Sequence, residues 1–336
     1  MKRFIIILIL PLLIVSCKRK QEEQELPVTR NFDSFVFVGM NESKPGLYKY
    51  NVIKNSFSES WQSKEEEVVE LSYSGKHSCA FFLTATKTGK EGIFPFIKDA
   101  RLYVIPDTSL KPRFVKEIGS GLQVFSRWES ETVFRIVINS WDKEVSTYIN
   151  QKTIIFNTYG RILQEETQTY DVTTDGYPRL PKIKPDSLSP SGRFQVSYKE
   201  GKNDSVFLVQ RKNNNQYFIT TINKPVNEIS WSDDRDFIFI STLDVTPSNR
   251  SIFTREPNTS SLYAYSISDK KIIKEWSGSG YKNFFTISDF LIFDDGFGRN
   301  SSIYIYDFKK DKIIKRIKIK GGCGLSGIPE SPQSGA

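Results

Sequence analysis

Histidine is almost absent from this chain, which has one, His77, among 336 residues. A Ser-His-Asp type of nucleophilic triad would have only this residue as its base, and no motif surrounds it. The sequence also lacks the HExxH, P-loop, GxSxG and sialidase-type Ser-x-Asp-x-Gly-x-x-Trp motifs. We therefore interpret His77 as a surface turn residue, and we predict no catalytic residue and no cofactor.

The chain also lacks a cluster of basic residues, although its formal net charge is +8. Nucleic-acid binding requires Lys and Arg that are grouped on one face of a domain. Here Asp and Glu are interleaved with Lys and Arg almost everywhere. The sequence therefore predicts no nucleic-acid partner.

One long apolar run occurs, from Phe4 to Val15, directly after the basic start Met1-Lys-Arg. The run is too short to span a bilayer as a permanent helix. A positive start followed by a short apolar stretch is typical of a secretory leader. We predict that this segment directs export.

The leader ends in Leu13-Ile-Val-Ser-Cys17, which resembles the bacterial lipobox. That resemblance implies cleavage before Cys17 and membrane attachment through a lipid on Cys17, with acyl chains contributing about 0.8 kcal/mol per buried CH₂. In the sorting rule that this resemblance implies, Asp directly after the lipidated cysteine retains a lipoprotein at the inner membrane. Lys18 occupies that position here, which implies the outer membrane of a bacterial cell envelope, on the periplasmic side or at the surface. A generic leader with an incidental cysteine remains the alternative. Residues 1–16 are thus a lipoprotein signal peptide and the polar residues 17–32 a flexible tether.

A repeat organises the rest of the chain. Residues Ser261 to Trp276 recur without a gap 41 positions later at Ser302 to Ile317, and a looser copy runs from Gly46 to Trp61. All three contain an apolar residue followed by Tyr-x-Tyr. A fixed period near 40 indicates a repeat architecture, and 25 Phe and 15 Tyr against 2 Met favour strands.

A second pattern describes a hairpin. Glu70 to Thr84 aligns without gaps on Glu228 to Thr242, and Leu188 to Val196 is a third version. In each, a strand enters a turn of Ser with Gly, Asp or Pro and returns as an apolar strand. Leu188-Ser-Pro-Ser-Gly-Arg and Trp231-Ser-Asp-Asp-Arg-Asp resemble the Trp-Ser-Pro-Asp-Gly turn of TolB-type, WD-like bacterial β-propellers. The resemblance covers most of residues 33 to 318 as a repeat rhythm, implies an all-β propeller, and includes no functional-site motif.

We predict six blades of four antiparallel strands, with seven as the alternative because residues 119–186 exceed the length of one blade. The first repeat has only three strands, and blades left unjoined would expose sheet edges. We therefore predict that the region around Leu325 returns as the inner strand of blade one and closes the ring; a disordered tail is the alternative. The propeller then spans 33–328, and 329–336 form a C-terminal tail. The repeats centre on 33–61, 67–117, 121–165, 187–222, 227–276 and 283–318.

Two cysteines, Cys79 and Cys323, remain after lipidation of Cys17. An even count in an oxidising compartment permits a disulfide. The blade assignment puts the two in neighbouring blades but does not bring them to the Cα separation of roughly 4.4 to 6.8 Å that a bridge needs. We predict two buried thiols.

Acidic turns are the only candidate metal sites, and they do not have the spacing of an EF-hand loop. Asp is common in turns because its side chain hydrogen-bonds nearby backbone amides. We therefore predict no metal site. The turns in question contain Asp233, Asp234 and Asp236 in one case and Asp294 and Asp295 in the other.

Three long excursions are predicted as loops on one rim of the propeller, at Ala85 to Asp99, Glu166 to Ser187 and Leu243 to Ser260. Loops held by a rigid scaffold are where such folds place function. Aromatic residues are enriched at protein interfaces, and the charged residues of the three loops balance. The candidate binding residues are Phe94, Phe96, Tyr170, Tyr177 and Phe253.

The sequence favours a lipid-anchored, monomeric envelope propeller that acts as a non-catalytic binding or scaffold protein and offers this rim to a protein partner. The alternative is a propeller hydrolase or lyase that cleaves an extracellular glycan or peptide with acidic residues at the central channel. Fold alone does not choose between them.

Overall fold

The computed structural model describes residues 34–41, 44–52, 54–74, 79–91, 94–106, 111–122, 124–130, 132–178, 188–189, 191–198, 204–222, 226–232, 236–242, 260–278, 283–296 and 300–325. The leader, the tether, His77, Phe253 and the tail lie outside these ranges. The described residues contain strands and turns and no helix. In chain order the strands are β1 Ser34–Asn41, β2 Lys44–Asn51, β3 Ser56–Trp61, β4 Glu67–Tyr73, β5 Ala80–Ala85, β6 Lys87–Glu91, β7 Phe94–Ile105, β8 Arg113–Leu122, β9 Val124–Ser130, β10 Val133–Trp141, β11 Tyr148–Asn157, β12 Ile162–Asp171, β13 Phe194–Tyr198, β14 Asp204–Gln210, β15 Asn215–Ile222, β16 Val226–Trp231, β17 Phe237–Thr242, β18 Ser260–Ser266, β19 Lys271–Gly278, β20 Phe284–Ile287, β21 Phe290–Asp294, β22 Ile303–Asp307, β23 Lys312–Ile317 and β24 Cys323–Gly324.

These strands form six antiparallel sheets within the described part of the chain, numbered here in chain order. Sheet 1 has the order β24-β1-β2-β3. Sheet 2 has β4-β5-β7-β8, with β6 paired to the first part of β7, and sheet 3 has β9-β10-β11-β12. Sheet 4 has β13-β14-β15, sheet 5 has β16-β17-β18-β19, and sheet 6 has β20-β21-β22-β23. Apart from β24, each sheet is built from consecutive strands, the meander typical of a propeller blade.

Five apolar cores among the described residues each lie between two sheets. Sheet 1 packs on sheet 2, sheet 2 on sheet 3, sheet 4 on sheet 5, and sheet 5 on sheet 6. Sheet 6 packs on sheet 1, where the rings of Phe35 and Phe285 meet edge to face with centroids 5.7 Å apart. Between sheets 2 and 3, Phe81 stacks on Phe134 with centroids 4.4 Å apart. Sheets 1, 2, 5 and 6 are each covered on both faces. Strand β5 of sheet 2 is accordingly buried along its whole length, whereas the outer strands β3 and β12 are largely exposed.

In two of the three aligned hairpins the turn serine makes the same pair of hydrogen bonds. The Ser232 amide donates to the Phe237 carbonyl at 3.0 Å, and the Phe237 amide donates to the Ser232 hydroxyl oxygen at 3.0 Å. Ser189 makes the same pair of bonds with Phe194. A serine at this position satisfies both ends of a tight turn, which explains why it recurs.

The C-terminal segment returns to β1. Residues Cys323 and Gly324 pair with Gly39 and Val38, and the Met40 amide donates to the Gly322 carbonyl at 3.1 Å. The side chain of Asp294, 1% exposed, accepts from the Leu325 amide at 2.7 Å and from the Gly296 amide at 3.0 Å. The segment therefore pairs with sheet 1 and is also held by a carboxylate of sheet 6.

Both described cysteines are free and buried, as predicted. Burial raises the pKa of Cys79 to about 12 and that of Cys323 to about 11. Since the thiolate is the reactive form of cysteine, neither thiol is a nucleophile at neutral pH.

Candidate functional site

The structure corrects two of the three predicted loops. Ala85 to Asp99 contains strand β6 and the start of β7, which form a hairpin in sheet 2. Glu166 to Ser187 begins with six residues of β12, which pairs with β11 as far as Asp171. Sequence reasoning missed β6 and the end of β12 because their residues are mostly polar: both lie at sheet edges, where backbone pairing requires no apolar alternation. It also missed the start of β7, although that stretch contains Phe94, Phe96 and Ile97. Leu243 to Ser260 falls almost wholly outside the described residues.

The five candidate aromatic residues are therefore placed differently from one another. Phe94 and Phe96 lie on β7, and Tyr170 lies on β12. Tyr177 follows the turn after β12 and is half-buried, and burial raises its pKa. Phe253 lies outside the described ranges. Phe96 lines a cavity.

That cavity is an open groove of about 430 Å³ between sheets 2 and 3, a size within the range of ligand sites. One wall is the end of β8 beside Phe96, which pairs with Leu122. The other wall is the end of β10. The residues that line it are Phe96, Ser120, Gly121, Leu122, Ser140, Trp141 and Lys143.

Glycine at position 121 sets the width of this groove at its base. A Cβ built on Gly121 would lie 2.5 Å from the Asn139 carbonyl oxygen and 2.5 Å from the Ile138 side chain. Strands β8 and β10 therefore approach each other more closely than any larger residue permits. Next to it, the Ser120 hydroxyl oxygen accepts from the Asp99 amide at 2.9 Å, and this fixes the wall of the groove to β7.

Trp141 is the most exposed aromatic residue of the groove, at 36%. It pairs with Ile149, which in turn pairs with Tyr170. Directly opposed residues on neighbouring strands have their side chains on the same face of a sheet. Phe96, Trp141 and Tyr170 therefore mark one end of sheets 2 and 3, although the structure shows no direct contact between Phe96 and Tyr170.

Sequence reasoning missed Trp141, Lys143 and Gly121. The signal that could have found Trp141 is a large aromatic residue directly before a predicted turn, since such a residue at a strand end is rarely enclosed by its own sheet. The neighbouring Asp142 is structural: backbone amides of Glu144 and Val145 and the Asn150 amide donate to it and lower its pKa.

A second feature concerns the enzyme alternative. Glu70 lies on β4, and burial raises its pKa from 4.5 to about 7, although the Ser126 hydroxyl donates to it and opposes the shift. The residue keeps some exposed surface while its carboxyl group is enclosed. The aligned residue on β16 is Glu228. A carboxyl group with a pKa near neutrality can act as a general acid or base, but glycosidic cleavage needs a second carboxyl group roughly 5 to 9.5 Å away.

The shifted pKa of Glu70 makes stability depend on pH. Its folded-state pKa exceeds the unfolded value, so the folded chain holds the extra proton, and stability falls as pH rises from about 5 to above 7. A pKa shift corresponds to about 1.36 kcal/mol per unit, and the partial exposure of Glu70 reduces its effect. We therefore expect the free energy of unfolding to fall by about 2 kcal/mol over this pH range. Glu70→Gln should remove this loss, so that the variant matches the parent at pH 5 and exceeds it at pH 8 in urea unfolding. The exposed Glu144→Gln serves as the control; an equal pH response in the parent and Glu70→Gln would contradict the assignment.

Among the described residues, no group of three or more His, Cys, Asp or Glu side chains is placed to hold a metal ion. The carboxylate oxygens of Asp294 and Asp295 accept hydrogen bonds from protein groups. Those of Asp294 bond the Gly296 and Leu325 amides, and those of Asp295 bond the Ser302 amide at 2.6 Å and the Tyr304 hydroxyl at 2.8 Å. The same described residues form no helix that is long and apolar enough to cross a membrane.

Comparison with known proteins gives structural similarity only. No protein-family model matches the chain, and no curated protein sequence matches it significantly. TolB from Acinetobacter baumannii has a TM-score of 0.47 and 10% identity, over 88% of this chain and 66% of TolB. A periplasmic gluconolactonase from Pseudomonas aeruginosa has a TM-score of 0.44 and 11% identity, over 87% of this chain and 97% of that chain. The β-propeller domain of the Trilobed protease from Pyrococcus furiosus has a TM-score of 0.30 and 10% identity, over 58% of each chain.

Similarity at this level carries no functional information. Because all three TM-scores lie below 0.5, the fold assignment rests on the strand pairing and sheet packing of the chain itself.

Proposed function

We propose that this chain is a lipid-anchored β-propeller of a bacterial cell envelope that binds a protein partner through the groove between sheets 2 and 3. The propeller has six blades, and β24 closes the ring by joining β1 to the last sheet. Successive packing of sheet 1 on sheet 2 and of sheet 6 on sheet 1 supports the closure, as does the bond from Leu325 to Asp294.

The anchor is proposed from the lipobox-like end of the leader. Residues 1–16 would be removed, Cys17 would take the lipid, residues 17–32 would form the tether, and the propeller would be held at the outer membrane as a monomer. Replacing Cys17 by Ala should abolish labelling by an alkyne fatty acid; retained labelling would contradict lipidation at this residue.

The groove is the proposed binding surface because it combines the exposed Trp141 with apolar lining residues on strands β8 and β10, which are held close together at Gly121. Hot spots of protein interfaces are enriched in Trp and Tyr set in well-packed surroundings. Trp141 and Phe96 provide the apolar surface, and the hydroxyl groups of Ser120 and Ser140 provide polar contacts at the rim. Phe94, Tyr170, Tyr177 and Phe253 are proposed as peripheral contacts on the same end of the propeller.

Trp141→Ala is expected to weaken partner binding at least tenfold, since removing a central aromatic anchor typically costs 2 kcal/mol or more. Partner recovery from the cell's own envelope, followed by titration of the purified partner, measures this. Tyr159→Ala is the matched control, because Tyr159 is 71% exposed and lies in the turn between β11 and β12, away from the groove. Equal affinity of Trp141→Ala and Tyr159→Ala would exclude the groove as the binding surface.

The enzyme alternative retains one observation in its favour, the raised pKa of Glu70 on β4. It predicts that Glu70→Gln abolishes hydrolysis of a glycan or peptide. We favour binding because aromatic side chains line the groove and Glu70 is not among its lining residues.

A further inference from the structure

Two of the three Tyr-x-Tyr repeats contain the same part-buried hydrogen bond, and the third lacks it. On β2 the Tyr50 hydroxyl donates to Asn55 Oδ1 at 2.6 Å, and on β22 the Tyr306 hydroxyl donates to Asp311 Oδ1 at 2.6 Å. In each pair the acceptor is the last residue of the turn that leads into the outer strand, and its φ is positive, at +51° and +46°. The repeat thus provides a tyrosine and, five residues later, an oxygen that accepts from it.

Sheet 5 lacks this hydrogen bond. Its tyrosine is Tyr265 on β18, and its turn residue is Lys270, with φ of +55°. A lysine side chain has no acceptor. The Tyr265 side chain is 1% exposed, and its hydroxyl has no hydrogen-bond partner among the described residues. A buried hydroxyl without a partner costs on the order of 1 to 3 kcal/mol, so this departure from the repeat needs a compensating interaction.

A cavity of about 140 Å³ lies at the same place, between sheets 4 and 5. Phe194, Leu208 and Tyr217 line it from sheet 4, with the Gln210 amide among them, and Tyr265 and Lys270 line it from sheet 5. The Lys270 ammonium stands 5.1 Å from the centroid of the Tyr217 ring, a cation–π contact that holds the charge at the cavity. The nearby Asp269 carboxylate is engaged by the Ser266 hydroxyl at 3.1 Å.

We propose that this cavity binds a small aromatic carboxylate, whose oxygens take the place of the missing Asn55 or Asp311 side chain. One oxygen would accept from the Tyr265 hydroxyl and the carboxylate would pair with Lys270, while the ring would lie against Phe194 and Leu208. An apolar cavity of about 150 Å³ accepts benzene, so the volume suits one six-membered ring. This site is separate from the groove between sheets 2 and 3 and does not depend on the proposed partner.

The test uses 4-fluorobenzoate as the probe, with fluorine NMR on the purified protein. We expect saturable binding with a Kd of about 1 mM or tighter, the range of a small fragment. Lys270→Met and Tyr265→Phe should each weaken it about tenfold. Fluorobenzene, which has the ring without the charge, should bind at least tenfold more weakly than 4-fluorobenzoate.

Lys270→Asp is the decisive variant, because it restores the arrangement of Tyr306 and Asp311. It should abolish probe binding and raise the midpoint of thermal unfolding. A raised midpoint would show that the variant is folded and that the loss of binding is not caused by unfolding. Tyr306→Phe is the matched control: it should lower the midpoint and leave the probe affinity unchanged. Absence of saturable binding to the parent chain, equal affinity for fluorobenzene, or unchanged affinity in Lys270→Asp would each overturn the proposal.

Discussion

Asp294→Ala is expected to lower the free energy of unfolding by about 3 kcal/mol and to release the C-terminal segment from sheet 1. The carboxylate is buried and accepts from the amides of Leu325 and Gly296. Hydrogen bonds to a charged group contribute about 1.5 to 3 kcal/mol each, and the amides would be left without a partner. Loss of the Leu325 bond removes the last hydrogen bond of the segment and leaves the short pairing of β24, the bond from Met40 to Gly322 and the bonds between Ser301 and Cys323.

Urea unfolding measures the stability loss, and amide hydrogen exchange at Met40, Cys323 and Leu325 measures the release. Asp295→Ala is the matched control, because Asp295 accepts from the Ser302 amide and the Tyr304 hydroxyl within sheet 6. It should reduce stability without faster exchange at residues 323 to 325. Unchanged exchange there in Asp294→Ala would argue against a ring closed through this carboxylate.

Gly121→Val is expected to lower the free energy of unfolding by about 3 kcal/mol and to abolish partner binding. The added side chain would start 2.5 Å from the Asn139 carbonyl oxygen, a backbone atom that cannot move aside alone. Overpacking of this kind typically costs 1 to 3 kcal/mol, and occasionally more. Strands β8 and β10 would have to separate, which changes the groove between them.

The control for this substitution is Gly89→Val. Gly89 lies on β6, and a Cβ built there meets no atom within 4 Å. Surface changes of this type stay within about 0.5 kcal/mol. Thermal denaturation and partner titration of the two variants give the comparison; similar stability of Gly121→Val and Gly89→Val would mean that the strands tolerate wider spacing.

Local patterns made much of the fold predictable. The three strands expected in the first repeat, which centres on residues 33–61, are β1, β2 and β3. The hairpins with serine turns were expected from their composition, and the strands on either side of Ser232 pair as an antiparallel hairpin. Such features depend on neighbours within about ten residues, so the sequence contains the information directly.

The candidate site was predictable only in part. Phe96 lines the groove, but its companions Trp141 and Gly121 come from strands whose contact depends on the packing of sheet 2 on sheet 3. The polar residues of β6 and the end of β12 were expected as loops, because edge strands are stabilised by backbone pairing that side-chain patterns do not report. In the same way, the exchange of Asp311 for Lys270 is visible in the repeat alignment, but its consequence for Tyr265 is not.

The sequence by itself determined that this is an all-β chain of Tyr-rich antiparallel hairpins with a period near 40, because periodicity and turn chemistry act over short distances. The tertiary structure decided which strand ends face each other across neighbouring sheets. It also decided which residue receives the C-terminal segment and which buried hydroxyl lacks an acceptor. These depend on the packing of residues far apart in the chain, where a difference of one or two ångströms separates a groove from a filled interface.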